Sequence, residues 1–312
     1  MDGLPSAHES DAGVSYRTEP PNVAAQSLKR RLGEAASAAL MPIIKQAARP
    51  YLGGEGIEDA LCVAARLRQE GFSTAFSYWD SGNEPAEAVE EIAYSTLSAI
   101  ADLPRTYLSL KPPALRFSNE SALRLARVAA QHGARLHFDS HGVETTDRQL
   151  AMIETMLGAI SSEHLGITLP GRHIRSLRDA DWAVKTGVNV RIVKGEWPDP
   201  LCPKNDLREG VLLLAKSLAG RARHVAIATH DLSLAQKAIA HLRAAQTSCE
   251  IEVLLGMPAR PLLAWAKQNE VRVRVYIPYG CGFIPNAIGI LRRNPRMALR
   301  IFAAFAKSCI CN

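Results

Sequence analysis

The 312 residues, 47% of them apolar, suffice for one large α/β domain or two ordinary ones. A formal charge of +6 comes from scattered Lys and Arg without a basic block or aromatic-basic interleaving, which excludes a single-stranded nucleic-acid binder and predicts attraction to anionic ligands. No apolar run reaches the roughly 20 residues of a membrane span, and the start MDGLPSAHESDAG lacks the charged-then-apolar order of a secretion signal, so a cytoplasmic location is expected.

Residues 1–22 are rich in Ser, Asp, Glu, Pro and Gly with no apolar period, the pattern of a disordered segment. Residues 23–50 read as a separate helical segment, Ala-rich with apolar residues at helical spacing from Ala25 to Ala48. Pro50, Gly53 and Gly54 break it, and residues 51–312 form the main domain. There the pattern alternates. A helix over Ile57–Gln69, with Leu61, Ala64, Ala65 and Leu67 on one face, precedes a strand over Thr74–Tyr78. The remaining pairs are Pro85–Ile100 with Thr106–Lys111, Glu120–Gln131 with Arg135–Asp139, and Arg148–Ile160 with Leu165–Leu169. Then come Ile174–Lys185 with the strand of VNVRIVKGEW (Val188–Trp197), Leu207–Ala219 with His224–Thr229, Leu234–Ala245 with Glu250–Leu255, and Arg260–Gln268 with Val271–Pro278. Eight strands, each separated from the next by one helix, have the arithmetic of a (β/α)8 TIM-type barrel with an additional N-terminal helix. The segment Asn286–Lys307, interrupted at Asn294–Pro295, closes the ring. The six cysteines show no CxxC spacing, so neither a metal site nor a disulfide framework is indicated, and most are expected to be reduced and buried.

In such a barrel the C-terminal strand ends meet at one mouth. The residues there are Tyr78 and Asp80, Lys111, Asp139 and His141, Pro170 and Arg172, Arg191 and Lys194, Thr229, His230 and Asp231, Glu252 and Met257, and Tyr276 and Tyr279. Lysines, an arginine, carboxylates and tyrosines make a polar site for an anionic or redox ligand rather than a packing core. Lys111 and Asp139 end adjacent strands, which favours an ion pair between them. Arg191 and Lys194 beside His230 would hold phosphates or an electron-rich ring, although a histidine there also serves as a satisfied core residue. No GxGxxG or Walker fingerprint is present, so any nucleotide cofactor must be held by side chains.

The pieces LSLKPPAL, LHFDS, VRIVKGEW, IATHD, EIEVLLGM and RVYIPYG, in this order on successive strand ends, resemble the proline dehydrogenase family, whose fold is a distorted flavin-dependent (β/α)8 barrel. The resemblance runs from about Gly53 to Phe302. It implies that FAD is the cofactor, that Lys111 lies over the active-site face with Asp139 orienting it, and that Tyr276 lines the substrate pocket. It further implies that Arg191 sits near the flavin N5, where a fixed cation stabilises the reduced ring, and that Lys194, Thr229 and His230 hold the isoalloxazine and phosphoribityl arm.

Two departures from the family pattern concern the ligands. The glutamine that contacts the flavin from strand four is replaced by Pro170. The arginine pair that clamps the substrate carboxylate from the last helix falls on Gly289 and Ile290, while Arg292 and Arg293 lie three residues later, about 4.5 Å further along a helix. The glutamate after the pair is missing and the aromatic residue before it is Asn286. Either Arg292 and Arg293 take over the clamp, or the substrate carboxylate is not free; the second is favoured.

The expected activity is therefore oxidation of a C–N bond to an imine in a proline-like amino acid or modified amine, free or carrier-bound, with a quinone or oxygen as electron acceptor. The alternatives are a non-redox lyase using Lys111 or Lys194 as a Schiff-base nucleophile, and a catalytically silent binding protein.

Overall fold

The computed structural model describes residues 49–204 and 206–282. The segment expected at 1–22, all but the last two residues of the one expected at 23–50, the last helix, and Arg292 and Arg293 lie outside the described residues. Eight parallel strands form a closed barrel in chain order, with β8 completing the ring against β1. The helices and strands alternate as α1 (Ile57–Gln69), β1 (Ser73–Tyr78), α2 (Ala86–Ala99), β2 (Thr106–Leu110), α3 (Asn119–Gln131) and β3 (Arg135–Phe138). They continue with α4 (Thr146–Leu157), β4 (Leu165–Pro170), α5 (Ser176–Thr186), β5 (Asn189–Val193), α6 (Leu207–Leu218) and β6 (Val225–Ala228). The described part ends with α7 (Leu232–Ala244), β7 (Cys249–Leu254), α8 (Arg260–Gln268) and β8 (Val273–Tyr279).

Local chemistry sets these limits. Ser118 caps α3 by accepting from the Ser121 amide at 3.2 Å, Asp206 caps α6 and Asp231 caps α7. Gly187, at φ 75°, ends α5 in the left-handed conformation that glycine adopts without strain.

Side chains alternate across each strand, and the outward set is apolar. Phe76, Leu108, Leu136, Ile167, Ile192, Ile227, Ile251 and Ile277 are fully buried against the helices. The helix faces that meet them are narrow and rich in alanine, so the helices lie close to the strands. On α1 that face is Ala60, Ala64 and Leu67. Ala65 points to solvent, because the stripe follows the i, i+4, i+7 positions that start at Ala60 rather than Leu61. Among the described cysteines, Cys62, Cys202, Cys249 and Cys281 are free, and none is fully buried. The expectation of mostly buried thiols fails because Cys62 is on the outer face of α1 and Cys281 follows β8 in an exposed turn.

The inside of the barrel departs most from the common pattern, in which branched apolar side chains fill the lumen in layers. Here Tyr107, Ser109, His137, Thr168, Arg191, Glu250, Glu252 and Arg274 are all buried. Every charge placed there has to be paired within the barrel.

Candidate active site

A cavity of about 350 Å³ opens at the C-terminal ends of the strands, bounded among others by Trp79, Lys111, Asp139, Arg191, His230 and Tyr276. These residues come from six different strands or the loops that follow them. Their convergence therefore depends on barrel closure and not on sequence proximity.

Arg191 is the centre of the arrangement. Register pairs it with Thr168 on β4 and Ala226 on β6, and its side chain runs into the lumen, where it is 4% exposed. Its Nε donates to Thr168 Oγ1 at 3.0 Å, Nη1 to Glu252 Oε1 at 2.8 Å and Tyr107 Oη at 3.4 Å, and Nη2 to Thr168, Ser109 and Asp139. All five N–H groups of a guanidinium are thus engaged. Asp139 also accepts from Ser109 Oγ at 2.7 Å and from the Tyr276 hydroxyl at 2.8 Å, and Glu252 from the Tyr107 hydroxyl. The Tyr276 ring lies 5.3 Å from the guanidinium carbon.

Electrostatics fix the protonation states. Burial works against the charge of Arg191, but Asp139 and Glu252 hold its pKa well above the ordinary range. Burial would raise Asp139, yet Arg191, Ser109, Tyr276 and Lys111 together keep it below the usual carboxylate range. Burial and then Asp139 push the Tyr276 phenol up, so it stays protonated and donates to Asp139.

Lys111 does not pair with Asp139. Its ammonium is 3.8 Å from Asp80 and lies 5.1 Å over the Trp79 ring. Arg191 reaches Asp139 from inside the barrel, and Asp80 in the segment after β1 takes the Lys111 ammonium. Lys194, between the wall residues Val193 and Gly195, has its ammonium 3.7 Å from Asp231, which also receives Arg208. Thr229 is buried, and its hydroxyl accepts from the Asp231 amide at 3.1 Å. His230 Nε2 accepts from the Leu254 amide at 3.1 Å, and burial above all lowers its pKa. A neutral ring accepting through Nε2 carries its proton on Nδ1, so His230 is a donor for whatever the cavity holds.

The expected strand-end position of Arg191 is corrected: it belongs to the interior of β5, because period-2 alternation turns Asn189 and Arg191 inward and Val190 and Ile192 outward. Two expected mouth residues lie elsewhere. Tyr279 packs outside the barrel and shares a hydrogen bond of 2.5 Å with Thr96 on α2, and the Tyr78 hydroxyl donates to Glu84 at 2.7 Å. Sequence reasoning missed Tyr107, Ser109 and Thr168, polar residues inside β2 and β4 whose shared parity with the strand-end positions Lys111 and Pro170 was the available signal. It also missed Trp197, whose indole stacks on His141 with centroids 6.2 Å apart at the cavity wall.

No family model matches the chain. Its sequence is 24% identical to proline dehydrogenase of Deinococcus radiodurans over 253 residues, 75% of this chain and 81% of the relative. It is 26% identical to proline dehydrogenase 1 of Bacillus subtilis strain 168 over 285 residues, 83% of this chain and 91% of the relative. Among solved structures, a proline utilization A (PutA) chain from Bdellovibrio bacteriovorus, inactivated by N-propargylglycine, superposes with a TM-score of 0.68 at 19% identity over 83% of this chain. A Bradyrhizobium japonicum PutA mutant gives 0.65 at 20% over 90%. This chain spans about a third of the length of those two structures, 33% and 34%. The barrel is the fold of these solved structures, and along most of both lengths the sequence is similar to proline dehydrogenases.

Proposed function

We propose that this protein is an FAD-dependent oxidoreductase that takes a hydride from a carbon bonded to nitrogen in a proline-like amine, leaving an imine. The observation that carries this reading is the convergence of Lys111, Asp139, Arg191, His230 and Tyr276 on one cavity. The named activity of the curated relatives supports it over a Schiff-base lyase or a silent binding protein.

The residues present fit a flavin. The cavity has low walls at Val193, Gly195 and Ala228 and an apolar side at Val253 and Leu254, which suits a planar ring. At Gly195, φ is +96° and a Cβ would come within 2.9 Å of Pro170 Cβ, so this wall position calls for glycine. His230, Thr229 and Lys194 would hold the group through an N–H donor, a hydroxyl and a cation. A bound flavin would supply the two-electron acceptor, its electrons passing on to a quinone or oxygen.

The chain's own residues would do the rest. Tyr276, kept protonated and fixed by Asp139, shapes the substrate pocket and does not act as a base. Arg191 has no N–H left over for a ligand. Its contribution is to lock Asp139 and Glu252 in place and to supply a fixed positive charge beneath the cavity. Lys111, Asp80 and Trp79 form one wall and His141 with Trp197 another. Burial above all lowers the His141 pKa, leaving a neutral imidazole where a substrate ammonium has to lose its proton before hydride departs.

The test compares turnover of proline with that of a proline ester and a carrier-bound proline, in wild type and Lys111→Ala. Turnover of any of these amines, reduced at least about 100-fold in Lys111→Ala with flavin content unchanged, is the expected result. Turnover unchanged in Lys111→Ala would refute the site. A strong preference for the ester or the carrier-bound form would identify the substrate as one without a free carboxylate.

A further inference from the structure

The N-terminal ends of β2, β3 and β8 enclose a second cavity of about 340 Å³, at the opposite end of the barrel from the candidate active site. Arg135, Arg274, Arg105, Tyr107, Glu163 and His164 are among the residues that line it.

Its two inward-facing arginines differ in one respect. Arg274 is engaged through all three nitrogens: Nε and Nη2 bind the two oxygens of Glu250 at 2.7 and 3.2 Å, and Nη1 donates to the carbonyls of Thr74 and Arg105 at 2.6 and 2.5 Å. Arg135 makes no hydrogen bond or ion pair with any described residue, and its Nε is shielded from solvent with no acceptor. What it does contact is a ring. Its guanidinium carbon is 4.1 Å from the centroid of Tyr107, and that of Arg274 is 4.6 Å from the same centroid. Such packing holds the planar fork in one orientation and keeps its N–H edges available.

The local charges do not balance. Arg135 and Arg274 face the single carboxylate of Glu250, which Arg274 occupies bidentately. The carboxylate of Glu163 at the rim lies 3.8 Å from both His164 and Arg223. His164 donates through Nδ1 to the Ala134 carbonyl at 2.8 Å. Arg135 is half-buried, and the Nε it shields from solvent without an acceptor carries a desolvation cost that a small anion would remove by supplying that acceptor. In keeping with this, burial above all, with Arg274 adding to it, holds the Arg135 guanidinium below its ordinary range.

We propose that this cavity is a binding site for a small oxyanion, of the phosphate or carboxylate class, held by the Arg135 guanidinium at the N-terminal end of the barrel. The site is separate from the strand-end cavity and does not rest on the flavin reading. Tyr107 joins the two ends, since its ring carries Arg135 and its hydroxyl donates to Glu252.

The experiment titrates the full-length protein with inorganic phosphate, and in a parallel arm with acetate, at constant ionic strength balanced with chloride. Tm and the ³¹P line width are the readouts. A saturable rise in Tm with either anion is expected, with affinity at least tenfold weaker in Arg135→Gln and unchanged in Lys194→Ala. The anion that acts at lower concentration identifies which of the two chemistries the site takes. No saturable effect in wild type, or equal affinity in Arg135→Gln, would overturn the proposal, as would loss of the effect in Lys194→Ala, which would put the ion at the other mouth. Where Arg135→Gln does not fold, phenylglyoxal modification of wild type is read by peptide mass. Phosphate or acetate should slow modification of Arg135, and equal rates with and without both anions reject the site.

Discussion

Arg191 shows how far a single buried charge can organise a site. Removing its guanidinium by Arg191→Met leaves Asp139 and Glu252 in the lumen without their shared cation, and breaking a buried pair in this way costs about 3–5 kcal/mol. Urea denaturation of Arg191→Met should show that loss as a lower midpoint; a change below about 1 kcal/mol would mean that the two carboxylates find other partners. Tyr276→Phe removes only the hydroxyl that donates to Asp139, a hydrogen bond to a charged group worth about 1.5–3 kcal/mol. It should lower stability by that order and impair turnover with bound flavin retained, which a stopped assay and an absorbance spectrum separate. At this scale the sequence was only half legible. The types Lys111, Asp139, Arg191, His230 and Tyr276 at strand ends were enough to locate the mouth. The partners were not, because who pairs with whom depends on which side chain enters the lumen: Arg191 displaced Lys111 from Asp139, and Asp80 took Lys111 instead.

At the scale of elements, the strand and helix order was readable throughout the described residues because outward strand faces are apolar and helices carry alanine-rich stripes. α1 and α8 begin and end where the periodicity places them, at Ile57–Gln69 and Arg260–Gln268. The lumen was less readable, since a buried Arg in an otherwise apolar strand looks like a strand end. β4 contains the clearest packing constraint. A Cβ at Gly166 would fall 2.2 Å from His137 Nδ1, and His137 is held by its hydrogen bond of 3.0 Å to Thr168 and by stacking on Tyr107 at 5.2 Å. Gly166→Ala should therefore overpack the lumen and destabilise the protein by about 1–3 kcal/mol, visible as a lower Tm. An unchanged Tm would show that the His137 ring can turn aside.

For the whole molecule, the barrel concentrates buried and half-buried histidines whose folded pKa values lie below the ordinary imidazole value of about 6.5. Burial, then Arg191 and Arg135, lowers His137 far; burial also lowers His141, His173 and His230. The unfolded chain then binds more protons than the folded one near and below pH 6.5, so stability rises with pH through that window and is lost as pH falls. Each fully depressed imidazole contributes a slope of up to about 1.4 kcal/mol per pH unit. His137→Gln should flatten the stability profile between about pH 5 and 6.5 by up to that slope, and an identical slope would assign the effect elsewhere. Asp139 and Glu250, both lowered, add a further loss in more acidic solution.

Among the described residues no helix is long and apolar enough to cross a membrane. The central claim is that the strand-end cavity serves flavin-linked oxidation of an amine, and the visible spectrum of the purified protein tests it most directly, recorded with added FAD before and after anaerobic addition of proline, its ester and its carrier-bound form. The account predicts oxidised-flavin bands that at least one of these amines bleaches. A colourless protein that fails to take up FAD, or a bound flavin that none of the three amines bleaches, would contradict it.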